Sequence, residues 1–345
     1  MQEFEFQKTE DGSLGLYNFD VQDIYHARQG AYSEARDKFA VPAINHLIDI
    51  NQANEINLLD ICYGIGYNSI AFIQNISNEK ILSNINKINI TLLEYNKSLI
   101  ILSPFIKCDN YNFFIRLRLL QFIKKYFTKG EIEDEIRRYK EFIDDTIYRH
   151  YFKPFKFSRG KLSSLSVKEG FLHNTYYNYM SNRHKIGLKL NNIKKIHLTI
   201  KFGDARKTIF DVKPSQNIVF LDAFDVKKLP TLWSCEFFKA IYSKIHENGM
   251  LFTYSHAAAV RSAMNEANFY IGQNNNIGTV CTKNKNFIKY ILSEYDLGLL
   301  KTNAGVPYHD YNLSMNSDEL TQDRLRRVKL ENRESSTHYA KTHQK

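Results

Sequence analysis

A chain of 345 residues with 43% hydrophobic and 14% aromatic content can bury one large core or two modest ones, which excludes global disorder. No run approaches the roughly 20 apolar residues that a bilayer crossing needs, so no membrane partner is expected. The formal charge of +10 points toward a polyanionic partner such as nucleic acid, although enrichment in Lys throughout the chain would give the same sum without one.

The N-terminal MQEFEFQKTEDG is acidic and polar rather than basic and apolar, so it does not read as a secretory signal. Cys62, Cys108, Cys235 and Cys281 are scattered, with no Cys-x-x-Cys pair. Neither a metal site nor a disulfide framework is expected, and a reducing cytoplasm fits.

The first strand, 56–61, leads through Asp60-Ile61-Cys62 into the turn Tyr63-Gly64-Ile65-Gly66-Tyr67-Asn68, and a helical apolar run (Ile70, Ala71, Ile73) follows. An open α/β sheet presents backbone to a ligand in this way at the carboxyl end of its first strand. No third glycine completes a dinucleotide fingerprint, and no Gly-Lys-Ser/Thr follows to cradle a triphosphate. The second strand, 88–93, ends at Glu94.

The interval 102–192 is far longer than one crossover helix needs and reads as a helical insertion. It opens with Phe114, Arg116, Arg118, Lys124 and Lys125. It passes through Arg137, Arg138 and Lys140 and ends in an aromatic-basic tract of Tyr148, Arg149, Tyr151, Phe152, Lys153, Phe155, Lys156 and Arg159. Interleaved aromatics and cations can stack on bases and grip phosphates, and a helical cap with a solvated face is the alternative.

A third strand, 196–202, precedes Gly203-Asp204-Ala205, and a fourth, 218–221, ends at Asp222. Trp233, Phe237, Ile241 and Ile245 then repeat every four residues, and Asn248-Gly249 reads as the left-handed cap of that helix. A fifth strand at 250–254 and a helix at 257–268, carrying Val260, Met264 and Ala267 on one face, complete the alternation. The charged segment 331–345 is expected to be mobile.

This order predicts an α/β, Rossmann-like, doubly wound and mostly parallel sheet. The sheet domain would comprise 1–101 and 193–330, interrupted by the insertion between strands two and three. Glu94 stands where a carboxylate accepts both hydroxyls of a ribose. Asp204 can accept from the exocyclic amine of adenine, and Asp222 lies toward the reactive end of a cofactor. Acid-bearing strand ends in this order, followed by helix, Asn-Gly and strand, read as a fold that binds S-adenosyl-L-methionine and transfers its methyl group.

Two segments are more specific. Tyr63-Gly64-Ile65-Gly66-Tyr67-Asn68 resembles the Phe-Gly-Thr-Gly-x-Asn turn of the MnmC family. The run from Phe220-Leu221-Asp222-Ala223-Phe224 through Lys227-Lys228-Leu229-Pro230 to Trp233 resembles that family's Phe-Leu-Asp-Gly/Ala-Phe-x-Pro-x-Lys-x-Pro-x-x-Trp segment. Tyr25-His26-Ala27-Arg28-Gln29-Gly30-Ala31 with Glu34, and Lys301-Thr302-Asn303-Ala304-Gly305-Val306-Pro307-Tyr308, are similar to family sequence as well. The insertion falls outside the resemblance. Cys62 stands where the family has the first glycine of its turn, Asp60 where it often has Glu, and Val226 where it has proline.

The resemblance implies methylation of the aminomethyl nitrogen of a wobble-position 5-aminomethyl-(2-thio)uridine in tRNA. MnmC proteins often carry a flavin-dependent oxidase half as well, and this chain, without a second glycine-rich fingerprint, resembles the methyltransferase half. Asp60, Tyr63, Gly64, Gly66, Asn68, Glu94, Asp204 and Ala205 are the expected cofactor contacts, and Asp222 is the expected catalytic base. His26, Phe224, Lys227, Lys228, Trp233 and Arg261 are candidates for contact with the anticodon loop of tRNA. An aminopropyl- or methyltransferase acting on a small amine remains open, as does a catalytically silent tRNA-binding scaffold.

Overall fold

Both faces of the central strands are apolar, so the sheet they form must be covered on both sides. In β4 (Asn54–Ile61), Leu58 joins one core and its neighbour Leu59 the other, the alternation that a strand's two-residue period dictates. β7 (Gln216–Leu221), with Phe220 and Val219 divided the same way, is buried along its whole length. Each such aromatic or aliphatic burial contributes about 1.5–3 kcal/mol.

The computed structural model describes residues 3–20, 22–24, 30–52, 54–76, 84–107, 113–143 and 195–343. The remaining strands are β1 (Phe4–Lys8), β2 (Leu14–Asn18), β3 (Asp23–Ile24), β5 (Ile85–Glu94), β6 (Lys195–Phe202), β8 (Ile245–Thr253), β9 (Tyr270–Gln273) and β10 (Thr279–Thr282). The main sheet has seven strands in the order β6-β5-β4-β7-β8-β10-β9. Its first five are mutually parallel, and β10 and β9 close the edge antiparallel. The doubly wound α/β sheet expected from the sequence is therefore present. A separate antiparallel meander, β1-β2-β3, was not anticipated from the sequence.

The helices are α1 (Ala31–Ala35), α2 (Val41–Asp49), α3 (Tyr67–Ile76), α4 (Lys97–Leu102), α5 (Phe113–Tyr126) and α6 (Lys129–Arg138) before the third strand. After it come α7 (Ala205–Thr208), α8 (Cys235–Lys244), α9 (Ala258–Glu266), α10 (Glu294–Lys301), α11 (Ser317–Glu331) and α12 (Ser336–Thr342). Helices α2 and α3 pack in the core on one face of the sheet, and α8 and α9 in the core on the other. Among the described residues no helix is long and apolar enough to cross a membrane.

One sequence expectation requires correction. Asn248-Gly249 does not cap the helix after the fourth strand. That helix starts from the Ser234 cap and ends at Lys244, and the chain turns extended at Ile245. Asn248 and Gly249 lie inside β8, where the register against β7 shifts between Gln216 and Ile218. A Cβ on Gly249 would sit 2.5 Å from the Gln216 carbonyl oxygen, so glycine serves close backbone approach there.

Part of the charged C-terminal segment, 336–342, is helical. It forms α12, the Asn303 amide donates to the Glu334 carbonyl, and Tyr339 packs against Tyr295. Within the interval 102–192 the described residues include helices α5 and α6, whereas the aromatic-basic tract at 148–159 lies outside the described residues.

Candidate active site

Parallel strands in register bring their carboxyl ends to one line. Ile61 pairs with both Leu93 and Leu221, and Glu94 pairs with Phe202. The next residues along, Cys62, Gly203 and Asp222, therefore sit beside Glu94 at the edge of one cavity of about 800 Å³. Glu3, Asn18 and Asp20 from the β1–β3 meander form one wall, and Asn316 and Ser317 at the start of α11 complete another.

The turn after β4 is shaped by left-handed backbone. Gly64 has φ of 59° and Gly66 of 95°, and Cys62 adopts φ of 64° despite its side chain. Gly66 has a second constraint, because a Cβ there would lie 2.2 Å from the Tyr63 hydroxyl. Tyr63 is buried with that hydroxyl 2.9 Å from Ser103 Oγ, so it braces the turn from behind. Asp60 is wholly buried as well, and accepts from Ser69 Oγ at 2.5 Å. Neither Asp60, Tyr63 nor Gly66 lines the cavity; they support its floor.

Glu94 is held open toward the cavity by two backbone donors, Gly64 N–H and Asn96 N–H, each at 2.7 Å. Burial pushes its carboxyl up to about 7 against these bonds. Asp222 is half-buried and receives the Asn68 side-chain amide at 2.9 Å. Burial also raises it to about 7, with Asn68 and Lys38 acting in the opposite direction and Glu34 adding to the rise. Glu34 lines the cavity and pairs with Lys38 at 2.5 Å, one helical turn away.

Asp204 lines the cavity beside Ala205 and Gly203, whose φ of 127° requires glycine. Its carboxylate is already engaged by Arg206, which reaches Asp204 and the buried Asp310 at 2.7 Å each. These bonds outweigh desolvation and hold Asp204 below the usual carboxylate range. The backbone at Ala223-Phe224 is pinned from two sides: Tyr254 Oη donates to the Ala223 carbonyl and Trp233 Nε1 to the Phe224 carbonyl, both at 2.8 Å.

The expected tRNA contacts divide. Phe224 lines the cavity, and Lys227 and Lys228 are exposed next to it. Trp233 does not line it: the indole is fully buried, because its apolar bulk completes the core under α8. Arg261 is not a surface cation either. It faces inward from α9, pairs with Asp296 at 3.1 Å and donates to Thr279 Oγ1 at 3.0 Å. His26 lies outside the described residues. Arg206, Lys38 and Tyr254 escaped sequence reasoning because each acts through a partner distant in the chain or one turn along a helix, with no local motif to mark it.

The cavity carries an unusual charge for a basic chain. Its described lining includes seven carboxylate residues (Glu3, Asp20, Glu34, Glu94, Asp204, Asp222 and Asp225) against one guanidinium, Arg206. Such a wall suits a cation, and S-adenosyl-L-methionine carries a sulfonium. Glu94, fixed by backbone donors, retains lone pairs for paired hydroxyls, and Gly203 leaves bare backbone beside it. The residues present fit this group.

Comparisons with known proteins agree. Residues 168–284 match a family described as S-adenosyl-L-methionine-dependent methyltransferase. An uncharacterized protein of Methanocaldococcus jannaschii is 28% identical over 330 residues, covering 94% of this chain and 72% of that protein. The bifunctional tRNA 5-methylaminomethyl-2-thiouridine biosynthesis protein MnmC of Burkholderia multivorans is 32% identical over 75 residues, which is 22% of this chain and 11% of that protein. The crystal structure of MnmC2 from Aquifex aeolicus matches with a TM-score of 0.61 at 20% identity, covering 96% of this chain and 86% of that one. Family match, fold and site together are those of an S-adenosyl-L-methionine-dependent methyltransferase, and the chain is similar to MnmC proteins.

Proposed function

We propose that this enzyme methylates the aminomethyl nitrogen of a wobble-position 5-aminomethyl-(2-thio)uridine in tRNA. The observation that carries the reading is the contrast between the acidic cavity and the chain's net charge of +10. An aminomethyl group is a cation at neutral pH, and the nucleic acid bearing it is a polyanion. A cavity of one sign within a surface of the other suits that combination.

S-adenosyl-L-methionine, when bound, supplies an electrophilic methyl group on sulfur. The chain's own residues do the rest. Glu94 and the Gly203–Ala205 backbone hold the nucleoside end. Asp222, oriented by Asn68, accepts a hydrogen bond from the amine and takes its proton, because only the neutral amine has a lone pair to attack with. Once that proton has passed to solvent, the same carboxylate would stabilise the positive charge that develops on the nitrogen. Phe224 offers a face on which a base turned out of the anticodon loop can stack, while Trp233 and Tyr254 fix its backbone. Most of the rate enhancement comes from positioning the two reactants.

An acidic pocket also suits a small polyamine, so the test compares substrates directly. Labelled methyl transfer is measured onto tRNA bearing 5-aminomethyluridine, onto the same tRNA lacking the modification, and onto spermidine. Transfer to the aminomethyl tRNA alone supports the reading, and transfer to spermidine alone rejects it. In cells lacking the protein, nucleoside mass spectrometry should detect 5-aminomethyluridine derivatives accumulating.

A further inference from the structure

Away from the cavity, Cys235 at the start of α8, Glu266 at the end of α9 and His309 on the loop before α11 converge on one point. Their sulfur, nitrogen and oxygen atoms all lie within 4.8 Å of one another. His309 Nε2 is 3.8 Å from Cys235 Sγ and 3.5 Å from Glu266 Oε1. Tetrahedral zinc bonds to such ligands imply separations of about 3.4–3.6 Å, so only small shifts are needed to close on an ion. None of the three residues lines the cavity.

The surroundings are those of a built site. His309 Nδ1 lies 3.0 Å from Glu236 Oε1, and donation to that carboxylate directs the Nε2 lone pair toward Cys235 and Glu266. A carboxylate behind a ligating imidazole fixes ring and tautomer in this way. Glu236 is itself held by the Asp310 amide at 2.6 Å. The Cys235 amide donates to the Tyr308 carbonyl at 2.9 Å, and Ser234 bridges to Tyr308, so the two backbones carrying sulfur and imidazole are locked side by side. Cys235 is fully buried, whereas the Glu266 side chain is 44% exposed, which leaves an approach from solvent on that side.

We propose that Cys235, Glu266 and His309 bind a zinc ion, with water in the fourth position and Glu236 orienting the imidazole. One thiolate, one imidazole and one carboxylate match the ligand preferences of zinc better than those of calcium or magnesium, which favour oxygen. On binding, the Cys235 S–H proton leaves to solvent and the sulfur lone pair forms the metal bond, without any redox change. The ion fastens the loop at His309 to α8 and α9. The adjacent Asp310 holds Arg206, which holds Asp204, so the staple also braces one cavity wall.

The test uses the full chain, stripped with a chelator and titrated with zinc chloride or cobalt chloride. The expected result is about one zinc per chain after gel filtration, and a thiolate-to-cobalt charge-transfer band that Cys235→Ser abolishes. Glu236→Gln should weaken zinc binding about 10- to 100-fold with the three ligands intact. Because Cys235 is buried, Glu266→Gln supplies a variant on a half-exposed side chain whose folding is checked by circular dichroism. Weaker binding in that folded variant supports the site. A wild-type chain that retains no more zinc than Cys235→Ser, or a cobalt spectrum without a thiolate band, overturns it.

Discussion

Asn68 donates its side-chain amide to Asp222 across 2.9 Å, tying the first turn of α3 to the end of β7. The bond joins the two segments that carry the family resemblance, and it acts on the charged form of the carboxylate. If Asp222 is the base, single-turnover methyl transfer should rise with pH through about 7, where its carboxyl ionises, and fall about tenfold per unit on the acid side. Asn68→Ala removes a bond that favours the ionised form, so the midpoint should move up. A midpoint that stays put or moves down removes Asp222 from this role. Asp222→Asn should slow single turnover about 10²- to 10⁴-fold while calorimetry still detects cofactor binding.

Asp60 sets a pH dependence of stability rather than of rate. Burial pushes its carboxyl up to about 8, far above the ordinary value of about 4 in the unfolded chain. A raised folded pKa means the folded state holds a proton that the unfolded state has lost. The associated stability is complete below about 4 and declines as pH rises toward 8, by at most about 1.4 kcal/mol per pH unit. Asp60→Asn, which cannot ionise, should therefore be more stable than the wild type at pH 8, with the gap narrowing toward pH 5. Urea unfolding at the two pH values measures this, and a gap independent of pH would refute it.

Backbone strain in the turn predicts a second stability series. Cys62 at φ of 64° tolerates an unbranched side chain, but a β-branched one clashes in the left-handed region. Cys62→Val should cost about 1–3 kcal/mol, whereas Cys62→Gly should stay within about 1 kcal/mol of wild type as strain relief and chain entropy offset. Gly66→Ala meets the Tyr63 hydroxyl and should cost about 2 kcal/mol or more. Thermal melts of the three variants rank them, and Val equal to Gly at position 62 contradicts the argument.

Two groups of cations should behave oppositely. Lys227→Ala and Lys228→Ala remove exposed charges near the cavity mouth, so the slope of tRNA affinity against salt should fall by about 0.7–0.9 per lost phosphate contact, with the melting temperature unchanged. Arg261→Ala removes a buried guanidinium from Asp296, which keeps its hydrogen bonds from Ser293 and Gln273, and should cost about 1–3 kcal/mol of stability, leaving the salt slope of whatever remains folded intact. The reverse pattern in filter binding and melts would move Arg261 back to the tRNA surface.

The sheet was legible in the sequence because its strands are buried on both faces, which leaves continuous apolar runs. The strand ends were legible because acids there interrupt those runs. Asp222 and Glu94 could be located by that rule alone. The meander of β1–β3 was not legible, since Phe4, Phe6, Leu14 and Leu16 alternate only over very short stretches split by Thr9–Ser13. Arg261 was misjudged because a charged residue on an amphipathic helix reads as solvent-facing until its partner, Asp296, is known from elsewhere in the chain. The Asn248-Gly249 pair was misread because glycine serves equally at a helix cap and at a close backbone crossing. Only the contact with Gln216 distinguishes the two.

The cavity wall runs from Glu3, just before β1, to Ser317 at the start of α11. Its lining joins the meander, the carboxyl ends of the parallel strands and the start of α11, so opening the meander or the α11 end removes part of it. A ligand held there at 100 times its dissociation constant adds about 2.7 kcal/mol to the stability of every element at once. The abundance of the methyl donor is thereby linked to the protein's stability. With the donor bound, the chain should resist added protease longer than without it.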